Sequence, residues 1–315
     1  MTRTLIYGHT GQDGRILWRQ LIERGHSLIG ISRSGISYHG VTNRGNSLVL
    51  DSDTVTSLLN EFKPHQVYYL AACHHSSQDR IVDDSGIWCE SWQTHVYLFE
   101  SLLQKLKKLV PRSKVFYASS SRIFGYSTSS PQRESTPWAP ACIYGTTKAS
   151  GMLVAGFYRR TYSMHVSCGI LYNHESPLRG NQFVSQKIIS GLISITKGES
   201  NILEIGNVDA RVDWGYAPDY TRAMRMILAL KEPEDMIIAT GTTHSVHDFI
   251  NNVAKKLGLK TEDFVVDESS QTLQLYPQQL RGDATLLRKQ TGWVPTVTFE
   301  EMIDIMVKAK TVNQC

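Results

Sequence analysis

The stretch GHTGQDG sets Gly8, Gly11 and Gly14 between an apolar strand, RTLIYG, and a helix pattern, GQDGRILWRQLIERG. That helix carries apolar residues at Ile16, Leu17 and Leu21 and stops at Gly25. Glycines in a strand-to-helix turn allow backbone to approach a pyrophosphate, whose charge then faces the helix N-terminus. Ordinary turns use glycine too, so the flanking strand and helix are what favour a dinucleotide here. A chain that starts this way is expected to continue as strands and helices in alternation.

The next segments follow that expectation. SLIGIS reads as a second strand, a polar glycine-containing connection follows, and NSLVL reads as a third strand. TVTSLLNEF is a helix, QVYYLAA a fourth strand, residues 88–109 a longer helical region, and KVFYASS another strand. A helix is predicted over 143–158 and a strand at MHVSCGIL. Strands separated by helices at these distances are βαβ units. The predicted class is α/β, a Rossmann-type doubly wound parallel sheet. Residues 1–171 form the dinucleotide domain. Residues 172–315 are expected to be mainly a smaller substrate-binding lobe, interleaved with the last sheet elements, DMIIATG and VHDFINNVAKKLG among them.

Composition narrows the function classes. With 315 residues, 33 Lys plus Arg against 29 Asp plus Glu and a formal charge of +4, the chain has no long basic run. The cluster LLQKLKKL has helix-surface spacing and reads as a solvated face rather than a nucleic-acid footprint. Five cysteines, Cys73, Cys89, Cys142, Cys168 and Cys315, form no CxxC pair, and no metal-ligand spacing occurs. Reduced thiols, the absence of a long apolar run and a strand that begins at once suggest a soluble, cytoplasmic protein without membrane or nucleic-acid partners.

Two further patterns carry chemistry. The second strand ends in Ser32, Arg33 and Ser34, where NAD sites commonly place an acid; Arg33 and its serines suit a 2′-phosphate, so NADP is favoured over NAD. Asp51, after the third strand, is a candidate adenine contact. In PACIYGTTKASG, Tyr144 and Lys148 lie four apart on one helix face. A tyrosine of pKa about 10 needs such a cation to act as a base near neutrality. The pair can move a proton to or from a sugar hydroxyl while hydride moves at a nicotinamide, with Ser120 donating to the same oxygen.

With TGQDG (10–14), YGTTKAS (144–150), LYNHESPLRG (171–180), GNVDARVDWGYAPDY (206–220) and RGDATLL (281–287), nearly the whole chain resembles the extended short-chain dehydrogenase/reductases, specifically the GDP-mannose 4,6-dehydratase family. The resemblance implies an NADP-binding sheet, with Thr10, Gln12, Asp13 and Ala71 at the cofactor. It implies oxidation of a nucleotide-linked sugar at C4, loss of water across C5 and C6, and return of hydride to C6. Tyr144 and Lys148 take base and orienting roles, and Ser120 replaces a threonine. Asn173 falls at the sugar end, and Asn181, Phe183, Val184 and Lys187 in the nucleotide-binding segment. A homodimer or homotetramer is implied, through the helices near 88–109 and 143–158.

The pattern breaks at Arg122, where the family has the glutamate that removes the C5 proton. A guanidinium has no acceptor and stays charged, so it cannot do that work. It could bind an anionic substrate group, unless it turns outward. A replacement base would have to come from His74, His174 or Glu175. The nucleotide clamp is altered as well: family arginines become Val212 and Leu273 and a glutamate becomes Tyr276, with Arg179 or Arg211 available to compensate. The favoured reading is an NADP(H)-dependent oxidoreductase at a sugar C4, as keto-sugar reductase or 4-dehydrogenase/epimerase, with a GDP-sugar as the leading substrate class. A dehydratase with a substitute base and a non-catalytic nucleotide-binding regulator are the alternatives.

Overall fold

The opening apolar run becomes strand β1 (Arg3–Tyr7), whose Thr4, Leu5 and Ile6 are wholly buried. A strand buried on both faces needs a helix layer above and below it. In the computed structural model, which describes residues 1–33, 35–38, 41–42, 52–73, 84–260, 264–267 and 280–312, the chain supplies both layers. After β1 come α1 (Gln12–Ile22), β2 (Ser27–Ser32), β3 (Gly35–Tyr38), β4 (Val41–Thr42), α2 (Ser52–Phe62), β5 (Gln66–Tyr69) and α3 (Asp84–Trp92). A π-helical turn (Gln93–Tyr97) leads into α4 (Leu98–Leu109), then β6 (Lys114–Ser120), a 3-10 turn (Ser121–Phe124) and α5 (Ile143–Tyr162). The remainder is β7 (Val166–Leu171), β8 (Asn173–Glu175), α6 (Val184–Thr196), β9 (Ile202–Glu204), β10 (Arg211–Tyr216) and α7 (Ala217–Ala229). It closes with β11 (Asp235–Ile238), β12 (Thr243–Ser245), α8 (Val246–Leu257), β13 (Val265–Asp267), α9 (Thr285–Thr291) and α10 (Phe299–Val312).

The main sheet has the order β11-β7-β6-β5-β1-β2-β3-β4. From β11 to β2 every pairing is parallel. The chain switches direction about β1, whose neighbours β2 and β5 come from opposite sides of the winding; ligands of such sheets bind in the crevice that opens there. The predicted strands at SLIGIS, QVYYLAA, KVFYASS, MHVSCGIL and DMIIATG all form within these elements.

Two local expectations need correction. The polar connection after SLIGIS is not simply a loop: β3 folds back antiparallel on β2, with Ser32 opposite Gly35 closing a two-residue turn. Gly35 has a φ of +117°, which a side chain would resist, and Ile36 packs on the core. The helix expected over 88–109 starts earlier, at Asp84, and contains the π turn. The third strand read at NSLVL lies outside the described residues.

One apolar core surrounds the sheet and recruits Tyr220, Met224 and Ile227 of α7, Leu287 of α9 and Trp293. A second joins α6, α8 and α10 with Trp214 of β10. The later half of the chain therefore contributes to both. Asp219 helps join them: its carboxylate accepts from Thr296 N and Oγ1, both at 2.7 Å, and from Val297 N at 3.2 Å. Among the described residues no helix is long and apolar enough to cross a membrane.

Candidate active site

The glycine turn is shaped by contacts that leave no space for side chains. Gly8 has a φ of +85°, and a Cβ there would stand 2.8 Å from the Ala71 backbone nitrogen at the end of β5. At Gly14 a Cβ would stand 2.3 Å from the Gly8 carbonyl oxygen, so α1 rests directly on the turn. Gly11 is different: its φ is an ordinary −71°, and it occupies the N-cap of α1 without any side-chain cap. The first-turn amides of α1 thus end at the mouth of the crevice, beside exposed Thr10, in the arrangement that favours an anion.

Gln12 and Asp13 brace this turn against β8. Gln12 Nε2 donates to the His174 carbonyl at 3.1 Å, and Ser176 Oγ donates to Gln12 Oε1 at 2.8 Å. His174 Nδ1 lies 2.7 Å from the Tyr172 carbonyl, and Nε2 lies 3.0 Å from Asp13 Oδ2. The carbonyl can only accept, so Nδ1 donates to it, and the Asp13 carboxylate favours a proton on Nε2 as well. Burial works against that charge, but the Asp13 carboxylate outweighs it and the His174 pKa is raised. Burial likewise works against ionised Asp13, and the charges of His174 and Arg179 hold its pKa down.

Tyr144 and Lys148 sit in the first two turns of α5, which starts where Cys142 Sγ accepts from Gly145 N at 3.3 Å. Lys148 is 1% exposed, and its Nζ donates to the Ala118 carbonyl of β6 at 2.8 Å. Nζ is 5.7 Å from the centre of the Tyr144 ring. Burial lowers the ammonium pKa to about 7, against the pull of Asp13. Tyr144 retains partial solvent access, yet burial raises its phenol pKa, helped by Asp13 and Cys142 and opposed by Arg179 and Arg122. The spacing argument led to an ionised phenol; the protein alone holds Tyr144 as the neutral acid, because its surroundings strip more water from the oxygen than the nearby cations offset.

Ser120 ends β6, and its Oγ accepts from Arg122 N at 3.2 Å, capping the 3-10 turn. The Arg122 carbonyl lies against α5, so close that a Cβ on Gly145 would be 2.4 Å from it. Half-buried Arg122 is thereby wedged between Ser120 and the residue after Tyr144, and its charge reaches the phenol. The structure brings Ser120, Arg122, Tyr144 and Lys148 to one place.

His95 belongs to this place as well, and sequence reasoning passed over it. It is fully buried in the π turn, with Nε2 accepting from Cys73 N at 3.0 Å and Nδ1 2.8 Å from Thr147 Oγ1. An accepting Nε2 fixes the Nδ1–H tautomer, and the ring stands edge-on to Tyr144 at 5.3 Å. The π turn also turns the carbonyls of Thr94 and His95 toward the sheet, where Tyr69 and Tyr117 hydroxyls donate to them at 2.6 and 3.0 Å.

The remaining candidates are spread around this centre. Asn173 begins β8, half-buried and paired with Trp214. Phe183, Val184 and Lys187 are half-buried at the N-terminal end of α6, and the Arg179 guanidinium lies 3.5 Å above the Phe183 ring. Asn181 is exposed and accepts from Lys310 Nζ at 3.0 Å. Arg211 is exposed on β10 and donates to the Thr243 carbonyl at 3.0 Å. Arg33 occupies the β2–β3 turn, exposed, with Glu90 3.6 Å away. Asp51, His74, Leu273 and Tyr276 lie outside the described residues.

A family model described as GDP-mannose 4,6 dehydratase matches residues 5–306. The chain belongs to the GDP-mannose 4,6-dehydratase family. A GDP-mannose 4,6-dehydratase of Vibrio cholerae is 34% identical to it over 97% of this chain and 92% of that protein. Among solved structures, the UDP-glucose 4-epimerase of Thermotoga maritima has a TM-score of 0.84 at 20% identity, covering all of both chains. RMD from Pseudomonas aeruginosa, complexed with NADPH, has a TM-score of 0.82 at 19% identity over 98% of this chain and 99% of its own. The fold is accordingly that of the short-chain dehydrogenase/reductase type of dehydratases and epimerases.

In this member of the GDP-mannose 4,6-dehydratase family, two of the three groups considered as a replacement base are already engaged. His174 is held at both nitrogens and stacks on Tyr220 with centroids 4.6 Å apart. Glu175 is buried, accepts from Ser185 Oγ at 2.7 Å and lies 3.2 Å from Arg179 Nε.

Proposed function

We propose that this protein is an NADP(H)-dependent oxidoreductase acting at C4 of a nucleotide-linked sugar, as a keto-sugar reductase or a 4-dehydrogenase/epimerase. The observation that carries the reading is the convergence of Ser120, Tyr144 and Lys148, with Arg122 anchored on Ser120 and its charge reaching the phenol. Gly8 and Gly14 leave a backbone cradle, the uncapped end of α1 supplies amides for a pyrophosphate, and Lys148 is held on the Ala118 carbonyl of β6. A nicotinamide dinucleotide bound there would accept or supply hydride at C4. Ser120 orients the C4 oxygen. Tyr144, neutral in the protein alone, is the acid form that donates a proton to a C4 ketone, and its phenolate is the base for the reverse direction. Arg179 and Arg122 provide cationic charge that favours the phenolate when it forms, and Lys148 adds to it while protonated.

The family and its named relatives favour a GDP-sugar and keep 4,6-dehydration as a second reading. Elimination needs proton removal at C5 and assistance to the departing 6-hydroxyl. Arg122 has no acceptor for that proton, and the commitments of His174 and Glu175 support reduction or epimerisation over elimination. The proton and hydride groups at the centre of the site weigh against a purely regulatory nucleotide-binding protein.

A GDP-hexose deuterated at C4 tests this reading. Label should pass to NADP+ without loss of water from the sugar by mass spectrometry, and Tyr144→Phe should retain folding but lose about 100-fold or more of the transfer rate. Stoichiometric formation of a 4-keto-6-deoxy sugar would return the protein to the dehydratases.

A further inference from the structure

We propose that His95 is the positioning residue of the proton donor: its imidazole ties the segment leaving β5 to the first turn of α5, and so sets where the Tyr144 phenol stands relative to the glycine turn. The inference rests on Tyr144 as the acid of the C4 reading and names what holds it. A one-way chain of hydrogen bonds runs through the ring. The Cys73 amide donates to Nε2 at 3.0 Å, which leaves the proton on Nδ1. Nδ1 lies 2.8 Å from Thr147 Oγ1, and that hydroxyl donates to the Ile143 and Tyr144 carbonyls at 2.9 and 3.2 Å. With its own proton committed to those carbonyls, Oγ1 accepts from the ring.

Both ends of the chain are anchored. Cys73 is buried two residues beyond Ala71, whose backbone nitrogen is the first atom a side chain at Gly8 would meet. At the other end, Tyr144, Thr147 and Gly151 have the spacing of one helix face, and all three meet the π turn. The His95 ring stands edge-on to Tyr144 at 5.3 Å and Thr147 is wholly buried beneath it. At Gly151 a Cβ would overlap the Tyr117 hydroxyl and stand 2.8 Å from the His95 carbonyl, which that hydroxyl bonds at 3.0 Å. The turn therefore cannot slide along α5. An apolar side chain would fill the space of the imidazole but would break the chain at both nitrogens. Proton transfer is sensitive to such a break, since a reacting group displaced by about 1 Å loses on the order of 100-fold in rate.

The experiment uses the full chain with NADP+ and two probes deuterated at C4, GDP-mannose and UDP-glucose; a second preparation carries 3-fluorotyrosine at position 144. His95→Phe keeps an aromatic ring and removes both hydrogen bonds. Its kcat per dinucleotide-binding site should fall about tenfold or more with KM close to wild type, and the fluorine resonance should move. His95→Gln, whose amide keeps one acceptor and one donor, should recover most of the rate and return the resonance toward its wild-type position. Thr147→Val breaks the same chain at its far end, should cost a similar factor that does not add to that of His95→Phe, and carries the test if His95→Phe does not fold. An unchanged kcat in His95→Phe, or losses in His95→Gln as large as those in His95→Phe, overturns the proposal and leaves the C4 reading standing. If wild-type protein transfers label from neither probe, the C4 reading falls and the fluorine resonance decides the role of His95: a signal unmoved in His95→Phe overturns it, and one moved there and restored in His95→Gln upholds it.

Discussion

At the scale of single residues, Lys148 shows how the site trades stability for chemistry. Its folded pKa of about 7 lies well below the ordinary lysine value of about 10.4. Between those values the unfolded chain holds a proton that the folded chain has released, so stability rises with pH across that window. Below pH 7 both states are protonated and burial of the ammonium costs its full amount. Lys148→Met should therefore lose turnover yet gain on the order of 1–3 kcal/mol of stability at pH 6, with the gain shrinking toward pH 10. Thermal melts of both proteins at the two pH values measure this. A variant destabilised equally at each would refute the burial argument and assign the Lys148–Ala118 bond the larger share.

At the scale of elements, the glycine turn and the β2–β3 hairpin frame the proposed dinucleotide site. Gly14→Ala pushes a methyl into the backbone of Gly8 and His9, which cannot move aside without displacing β1 or α1. A cost of about 1–3 kcal/mol and weakened dinucleotide binding are expected. Gly11→Ala, with a nearest contact of 3.4 Å and an ordinary φ, should be nearly silent by the same denaturation and titration assays. If the two behave alike, the turn is not packed as described. The hairpin bears on cofactor choice because β2 reverses at Arg33, holding it at the end of the strand that borders the crevice. Arg33→Ala is expected to weaken NADP+ about tenfold or more, one charge-assisted contact, and to leave NAD+ nearly unchanged. Equal losses for both would remove Arg33 from phosphate recognition.

At the scale of the whole molecule, the helices beyond the site present an unsatisfied apolar surface. Trp88 and Trp92 lie one turn apart on α3, and Leu153 and Phe157 one turn apart on α5, which α3 contacts. Trp92, Leu153 and Phe157 remain 47%, 60% and 48% exposed, and the Tyr162 ring stands edge-on to Phe157 at 5.7 Å. Large side chains in adjoining stripes suit a self-complementary interface between two copies. Sedimentation should find at least a dimer at micromolar protein, and Phe157→Glu should shift it toward monomer. A wild-type monomer at that concentration would rule the interface out.

What the sequence by itself determined is the part governed by neighbours along the chain. Glycines at a strand-to-helix turn, apolar runs with helical or strand spacing, and Tyr144 four residues before Lys148 follow from local geometry, and among the described residues they are found on the elements expected. That Arg122 cannot abstract a proton follows from the chemistry of a guanidinium wherever it points. Tertiary structure decided which groups meet and in what protonation state. The β2–β3 return depends on pairing partners, and the π turn on Tyr69 and Tyr117 reaching its carbonyls from another layer. The His174 pKa is raised because Asp13, 161 residues away in sequence, faces it. Tyr144 is neutral and Lys148 depressed because burial, which no spacing of residues can express, outweighs the charges around them.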